Sequence, residues 1–245
     1  MNKIKSPEVS SMRFCILLAS IAIMASAAMA QEDTAIGLTN KGYDLLHQLK
    51  YEEALGAFDD ALSLNQSDVA AMAGKASALD RLGNYSGALE IYNRTIEIAP
   101  YYVKAWAGKG SSLENLNKSN ESLDFFNMSL EMDPEYAVAW NERAWLRYKR
   151  GEYQDALEDA NMGIKLVERG LAATLDTKGM ALFGLGKYNE SLECLDRAIG
   201  LEPSIAELWY HKGDVLKAMG REDDAEAAYA KARNSTLVWP GGEDI

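Results

Sequence analysis

Between Ala70 and Leu82 the apolar residues Met72, Ala76, Leu79 and Leu82 recur at three- and four-residue intervals, and that spacing predicts a helix with one buried face. Gly83 follows, at the point where a left-handed residue ends a helix. A second run carries Tyr85, Ala88, Leu89, Tyr92 and Ile96 on one face. It stops at Pro100, which has no N–H to donate and turns its predecessor away from helical geometry. The same pair of helices is written again every 34 residues from Ala35 to about Thr236, six times in all. No strand signal competes with it, so the class is all-α.

The copies keep phase by residue type. In Val69–Tyr102, Gly83, Tyr85, Ala88, Tyr92 and Pro100 take the fifteenth, seventeenth, twentieth, twenty-fourth and thirty-second places; Trp106, Gly110, Phe126 and Pro134, then Trp140, Gly151, Tyr153 and Ala156, follow in register. The small residues are the strictest. Place eight holds Gly42, Ala76, Gly110, Ala144, Gly179 and Gly213, and place twenty holds Ala54, Ala88, Ser122, Ala156, Ser191 and Ala225. Place twenty-seven holds Ala61, Thr95, Ser129, Gly163, Ala198 and Ala232. Helices approach to about 8 Å only where side chains are small, so these columns mark helix crossings. One spacing breaks: an extra residue near Arg169 to Leu171, with Glu168 in place of the proline, predicts a looser turn.

This pattern resembles the tetratricopeptide (TPR) repeat, a helix–turn–helix unit with an aromatic residue or Leu at place four, a small residue at eight, Tyr at seventeen and Pro at thirty-two. The copies span 35–68, 69–102, 103–136, 137–171, 172–205 and 206–236, with a tail over 237–245. The resemblance implies an α-solenoid, a right-handed superhelix in which stacked units share one continuous core. It also implies that the first helices line a groove for a peptide or protein partner. Carried over place by place, that groove contains Tyr43 in the first copy, Asn141, Trp145 and Tyr148 in the fourth, Phe183 in the fifth, and Tyr210 and His211 in the sixth. Asp80, Glu114, Asp176 and Asp214 stand at groove places too, and so do Lys104, Lys149 and Lys217. The family's clamp for a terminal carboxylate is not reproduced, because Lys104 stands at a suitable place but its partner position is Gly108. Place seven, usually Leu, holds Lys41, Lys75, Lys109, Arg143, Lys178 and Lys212, whose stems can pack while their charges escape or meet a carboxylate.

The first thirty residues are different in kind. Lys3, Lys5 and Arg13 precede an apolar run from Phe14 to Met24, and Ala28-Met29-Ala30 then leads into polar Gln31, which is the order of a secretory signal peptide over 1–30. Export to the extracellular space, the periplasm or the cell surface is expected. An uncleaved anchor is the alternative, and only that reading brings in a membrane. Cleavage leaves Cys194 as the single cysteine, excluding an intramolecular disulfide. Eight of the thirteen asparagines, 65, 84, 93, 117, 120, 127, 189 and 234, head an Asn-x-Ser/Thr triplet, where chance would give about one. N-glycosylation is therefore expected, foremost at Asn65, Asn84 and Asn117 in turns and Asn234 near the end.

Charge and chemistry narrow the function. The formal charge of −12 becomes −14 without the leader, so nucleic acid is not an expected partner. His47 and His211 lie in the first and last copies, and no HExxH, no CxxC pair and no phosphate loop occurs, so neither metal, cofactor nor catalysis is expected. The leading expectation is a non-catalytic interaction scaffold. An accessory subunit or atypical hydrolase acting at the groove, and a self-associating surface protein, are the alternatives. Intact-mass spectrometry of protein from its native source is expected to show a chain beginning at Gln31 and carrying glycans. A mass that includes Met1 would replace secretion with anchoring, and eight bare asparagines would remove the glycosylation reading.

Overall fold

In a computed structural model, residues 34–166 and 171–235 are described, and they form twelve helices joined by short turns. These are α1 (34–47), α2 (Tyr51–Leu64), α3 (Val69–Arg81), α4 (Tyr85–Ile98), α5 (Val103–Asn115), α6 (Ser119–Met132), α7 (Ala137–Lys149), α8 (Tyr153–Leu166), α9 (Leu171–Gly184), α10 (Tyr188–Leu201), α11 (Ala206–Ala218) and α12 (Glu222–Arg233). Odd-numbered helices are the first of each repeat and even-numbered helices the second. The leader with its cleavage point, the turn after α8 and the tail lie outside the described residues. The chain divides into two compact units between Ala78 and Leu79, within α3.

In the first unit the ring of Phe58 on α2 lies on bare backbone. A β-carbon on Gly42 or Gly74 would overlap it, and Phe58 is wholly buried. Tyr43 meets that ring edge-on at 5.2 Å and donates its hydroxyl to the Ala70 carbonyl at 2.9 Å, tying α1 to α3. Asp68 starts α3 by accepting from the Ala70 and Ala71 amides, both at 3.0 Å, and it also receives the Thr39 hydroxyl at 2.9 Å.

The second unit repeats the arrangement. Tyr92 lies against Gly108, Phe126 against Gly110, Tyr229 against Gly213 and Leu195 against Gly179. All of these rings and the leucine hold place twenty-four. The small residues at place twenty are equally confined, since Ala88, Ser122, Ala156 and Ser191 are completely buried. A second contact joins successive repeats: the indole N–H groups of Trp106, Trp140 and Trp209 donate to the carbonyls of Pro100, Pro134 and Pro203 at 2.8, 2.8 and 2.9 Å. The proline that ends one repeat thus offers the acceptor for the tryptophan that opens the next.

Place fifteen closes every first helix with a left-handed residue. Four repeats use Gly83, Gly151, Gly186 and Gly220, while Leu49 and Asn117 take φ 60° without being glycine. Each closure is sealed by the amide one residue later reaching back into the helix, as Asn84 does to the Leu79 carbonyl at 2.9 Å. Leu49 is a genuine cost, since its β-carbon crowds the carbonyl in that conformation. Two substitutions are expected to move stability in opposite directions, as read by urea midpoints. Gly110→Ala puts a β-carbon 2.8 Å from the Phe126 ring and should lose about 1–3 kcal/mol. Leu49→Gly relieves the turn at a site that is 42% exposed and should gain up to about 1 kcal/mol.

Candidate partner-binding site

The residues assigned to the groove are placed unevenly. Tyr43 belongs to the first unit, where it is half-buried and committed to Phe58 and Ala70. In the second unit α7, α9 and α11 bring side chains together. Trp145 stacks on Tyr148 at 5.3 Å and on His211 at 6.1 Å, and Tyr148 meets Tyr153 at 5.8 Å. His211 donates through Nδ1 to Asp176, 2.8 and 3.0 Å from its two oxygens. Since a carboxylate only accepts, the proton sits on Nδ1 and Nε2 is left over. A continuous ladder of rings therefore runs from α8 across α7 to α11, anchored on α9. Phe183 and Tyr210 stand beside it, each half-buried against a ring of its following helix, Tyr188 at 5.9 Å and Tyr229 at 6.1 Å. Asn141, also half-buried, has its amide oxygen shut away from solvent with no hydrogen-bond partner.

The electrostatics of this face are negative. Burial pulls the His211 pKa down, but Asp176 by charge and hydrogen bond, with Asp214 and Glu207, outweighs it and leaves the imidazole above its ordinary value. Burial, with the neighbouring Tyr153 hydroxyl and the charges of Asp176 and Asp214, pushes Tyr148 up to about 12. Asp214 accepts the Tyr229 hydroxyl at 2.7 Å.

A second cluster joins the end of α3 to α5 and α7, and the sequence pattern did not disclose it. Burial pushes Asp80 up to about 7 although the Ser112 hydroxyl sits 2.7 Å away and Arg81 and Tyr92 act in the opposite direction. Glu142 is likewise raised to about 7, by burial and then by Glu114, with Arg81 opposing. Glu114 itself is paired with Lys149 at 3.3 Å. Glu142 stands at place six, where the second and third repeats have glycine, and that contrast was its only signal in the sequence.

The place-seven cations are engaged at several repeats. Lys75 pairs with Asp59, Lys212 pairs with Asp196, and Lys109 lies 4.1 Å over the Phe125 ring. Arg143 makes a two-pronged bond to buried Asp159, both distances 2.8 Å, and Arg147 joins it at 2.7 Å. This network occupies the repeat whose place twenty-four is only Ala160. Cys194 is buried, and burial raises its thiol, so it is a packing residue.

The acceptor triplets fall into two groups. Asn65, Asn84, Asn117 and Asn234 are exposed. Asn84 caps α4 by accepting from the Gly87 amide at 3.1 Å, and Asn65 accepts from the Ser67 amide at 3.2 Å, so in both it is the oxygen that is engaged. In the helical triplets the hydroxyl residues Thr95, Ser122, Ser129 and Ser191 are completely buried. Asn127 is half-buried and accepts from Arg143 at 2.7 Å.

Known proteins resemble this chain in sequence pattern and in fold. Family models described as tetratricopeptide repeat match residues 39–103 and 177–236, 103–136, and 125–158. No curated protein matches the sequence. Among solved structures, the APC/C hetero-tetramer Cut9–Hcn1 superposes with a TM-score of 0.75 at 16% identity, over 83% of this chain but 40% of the matched one. A thermophilic TPR protein of Thermus thermophilus gives 0.65 at 18% identity, covering 82% of this chain and 99% of its own. YrrB, described as a TPR protein with an unusual peptide-binding site, gives 0.53 at 20% identity, covering 74% and 92%. At these identities the likeness is one of fold.

Glu142 yields a pH test. The folded protein holds its proton up to about pH 7, while its ordinary value is 4.5, so the charged form costs stability above pH 7 and the cost fades as pH falls toward 4.5. Glu142→Gln is expected to raise stability at pH 8 by roughly 1–2 kcal/mol, and to match wild type at pH 4.5, by thermal denaturation at both. A difference independent of pH would place Glu142 in an environment that does not disfavour its charge.

Proposed function

The chain belongs to the tetratricopeptide repeat family, and from that premise we propose that it is an exported, non-catalytic scaffold that takes a peptide or protein partner on the face of its first helices. The ladder of Trp145, Tyr148 and His211 carries the reading. These rings hold groove places and remain only half-buried, and rings gathered on one face and left partly wet are the usual anchors of an interface, each worth up to about 2–4 kcal/mol. The fold likeness to YrrB, whose description names a peptide-binding site, supports the same reading.

Export rests on the order of basic, apolar and small residues over 1–30. Glycan attachment at the turn triplets suits that route, because Asn65, Asn84 and Asn117 are exposed and the engaged side-chain atoms of the first two are their oxygens. The helical triplets have the structural duty of supplying small residues to the crossings, and their hydroxyls are closed to any enzyme acting on the folded chain.

Replacing Trp145 and Tyr148 together by Ala tests the groove. Helix content by circular dichroism should remain that of wild type, while capture of the partner from a surface fraction is lost. A variant that melts early yet captures its partner would assign the rings to the core instead.

A further inference from the structure

The face of α7, α9 and α11 has a charge that its own cations do not balance. Asp176, Asp214 and Glu207 all act on His211, and Asp176 and Asp214 both act on Tyr148. The bases nearest in the fold are spent elsewhere: Arg143 and Arg147 on Asp159, Lys149 on Glu114, Lys212 on Asp196. Among the described residues, Asp176 is held by the His211 imidazole and Asp214 by the neutral hydroxyl of Tyr229. Exposed Lys217, just beyond Asp214 on α11, and half-buried Lys178, two residues after Asp176 on α9, are the remaining cations of these helices, without an ion pair among the described residues. That imidazole titrates upward in this setting against the effect of its own burial, as nearby negative charge requires.

Resting on the groove reading above, we infer that this face selects a partner segment bearing a cationic side chain, arginine before lysine, seated on Trp145 and Tyr148 with exposed Asp214 as its acceptor and buried Asp176 adding negative potential beneath the rings. A guanidinium is flat, weakly hydrated and able to stack on an indole while its edge donates to carboxylates, which is the combination present here. An acidic segment would meet the charges of Asp176 and Asp214 at the same rings. A neutral apolar segment would take exposed Asp214 out of water with only the Tyr229 hydroxyl to compensate it. The occupant is thus the reverse of the terminal carboxylate for which Lys104 and Gly108 supply no clamp.

Short fluorescein-labelled peptides that differ only in two central residues, Arg, Lys, Gln or Glu, provide the test, with anisotropy titrations of the full chain. The Arg peptide is expected to bind about tenfold more tightly than the Gln peptide, with the Glu peptide weakest. Asp214→Asn, which keeps an acceptor for Tyr229, and Trp145→Leu, which keeps bulk but removes the ring, should each weaken the Arg peptide by about fivefold or more. Glu158→Gln, at an exposed position on α8, should leave it unchanged, and circular dichroism should report wild-type helix content throughout. Equal binding of Arg and Gln peptides overturns the inference, as does a Glu158→Gln loss equal to that of Asp214→Asn, since general surface charge would then explain the attraction. If the Gln or Glu peptide binds best and Trp145→Leu abolishes it, the groove reading stands and the cation preference falls. If no peptide binds, and the Trp145/Tyr148 double variant still captures its partner, both fall.

Discussion

A side chain of the second helix resting on the bare backbone of a first helix is the contact on which the rest of this protein depends. Phe58 on Gly42 and Gly74, Tyr92 on Gly108, Phe126 on Gly110 and Tyr229 on Gly213 leave no room for a single added carbon. A close approach of that kind fills space at interior density and fixes where the helices stand. Once they are fixed, Trp145 on α7, Asp176 on α9 and His211 on α11 can meet although they come from three different repeats.

The fourth repeat departs from this rule, and the departure falls next to the candidate site. With Ala160 where the other repeats have a ring or Leu195, this repeat buries Asp159 between Arg143 and Arg147. Desolvation of the charges offsets much of the attraction in a buried pair of this kind. The network also engages two cations of α7, the helix that carries Trp145 and Tyr148.

The fold was legible because its determinants are steric and recur: six small residues at each of three places state the same crossing six times. The left-handed closures were legible at Gly83 and its equivalents but not at Leu49, where the conformation is imposed by neighbouring turns against the residue's own preference. The site was legible only as a set of places. That Trp145 faces both Tyr148 and His211, or that Phe183 and Tyr210 are each half-covered by a tyrosine of the next helix, depends on rotamers and on the spacing between helices. Glu142 stayed hidden for a related reason, since its raised pKa comes first from burial and then from Glu114 on a different helix, neither of which is written at its own position.

The bond from tryptophan to proline carbonyl belongs to a junction and not to a repeat. Pro and Trp occur together at three junctions and are missing together at two, where Gln66 precedes Met72 and Glu168 precedes Leu175. A repeat copied in tandem would bring half of one such bond at its front and half of another at its back. Only the third repeat, with Trp106 at one end and Pro134 at the other, carries both halves and would complete a bond with its own duplicate. By this criterion the array can lengthen at its third repeat without opening a seam, and every other duplication would leave a junction lacking its donor, its acceptor or both.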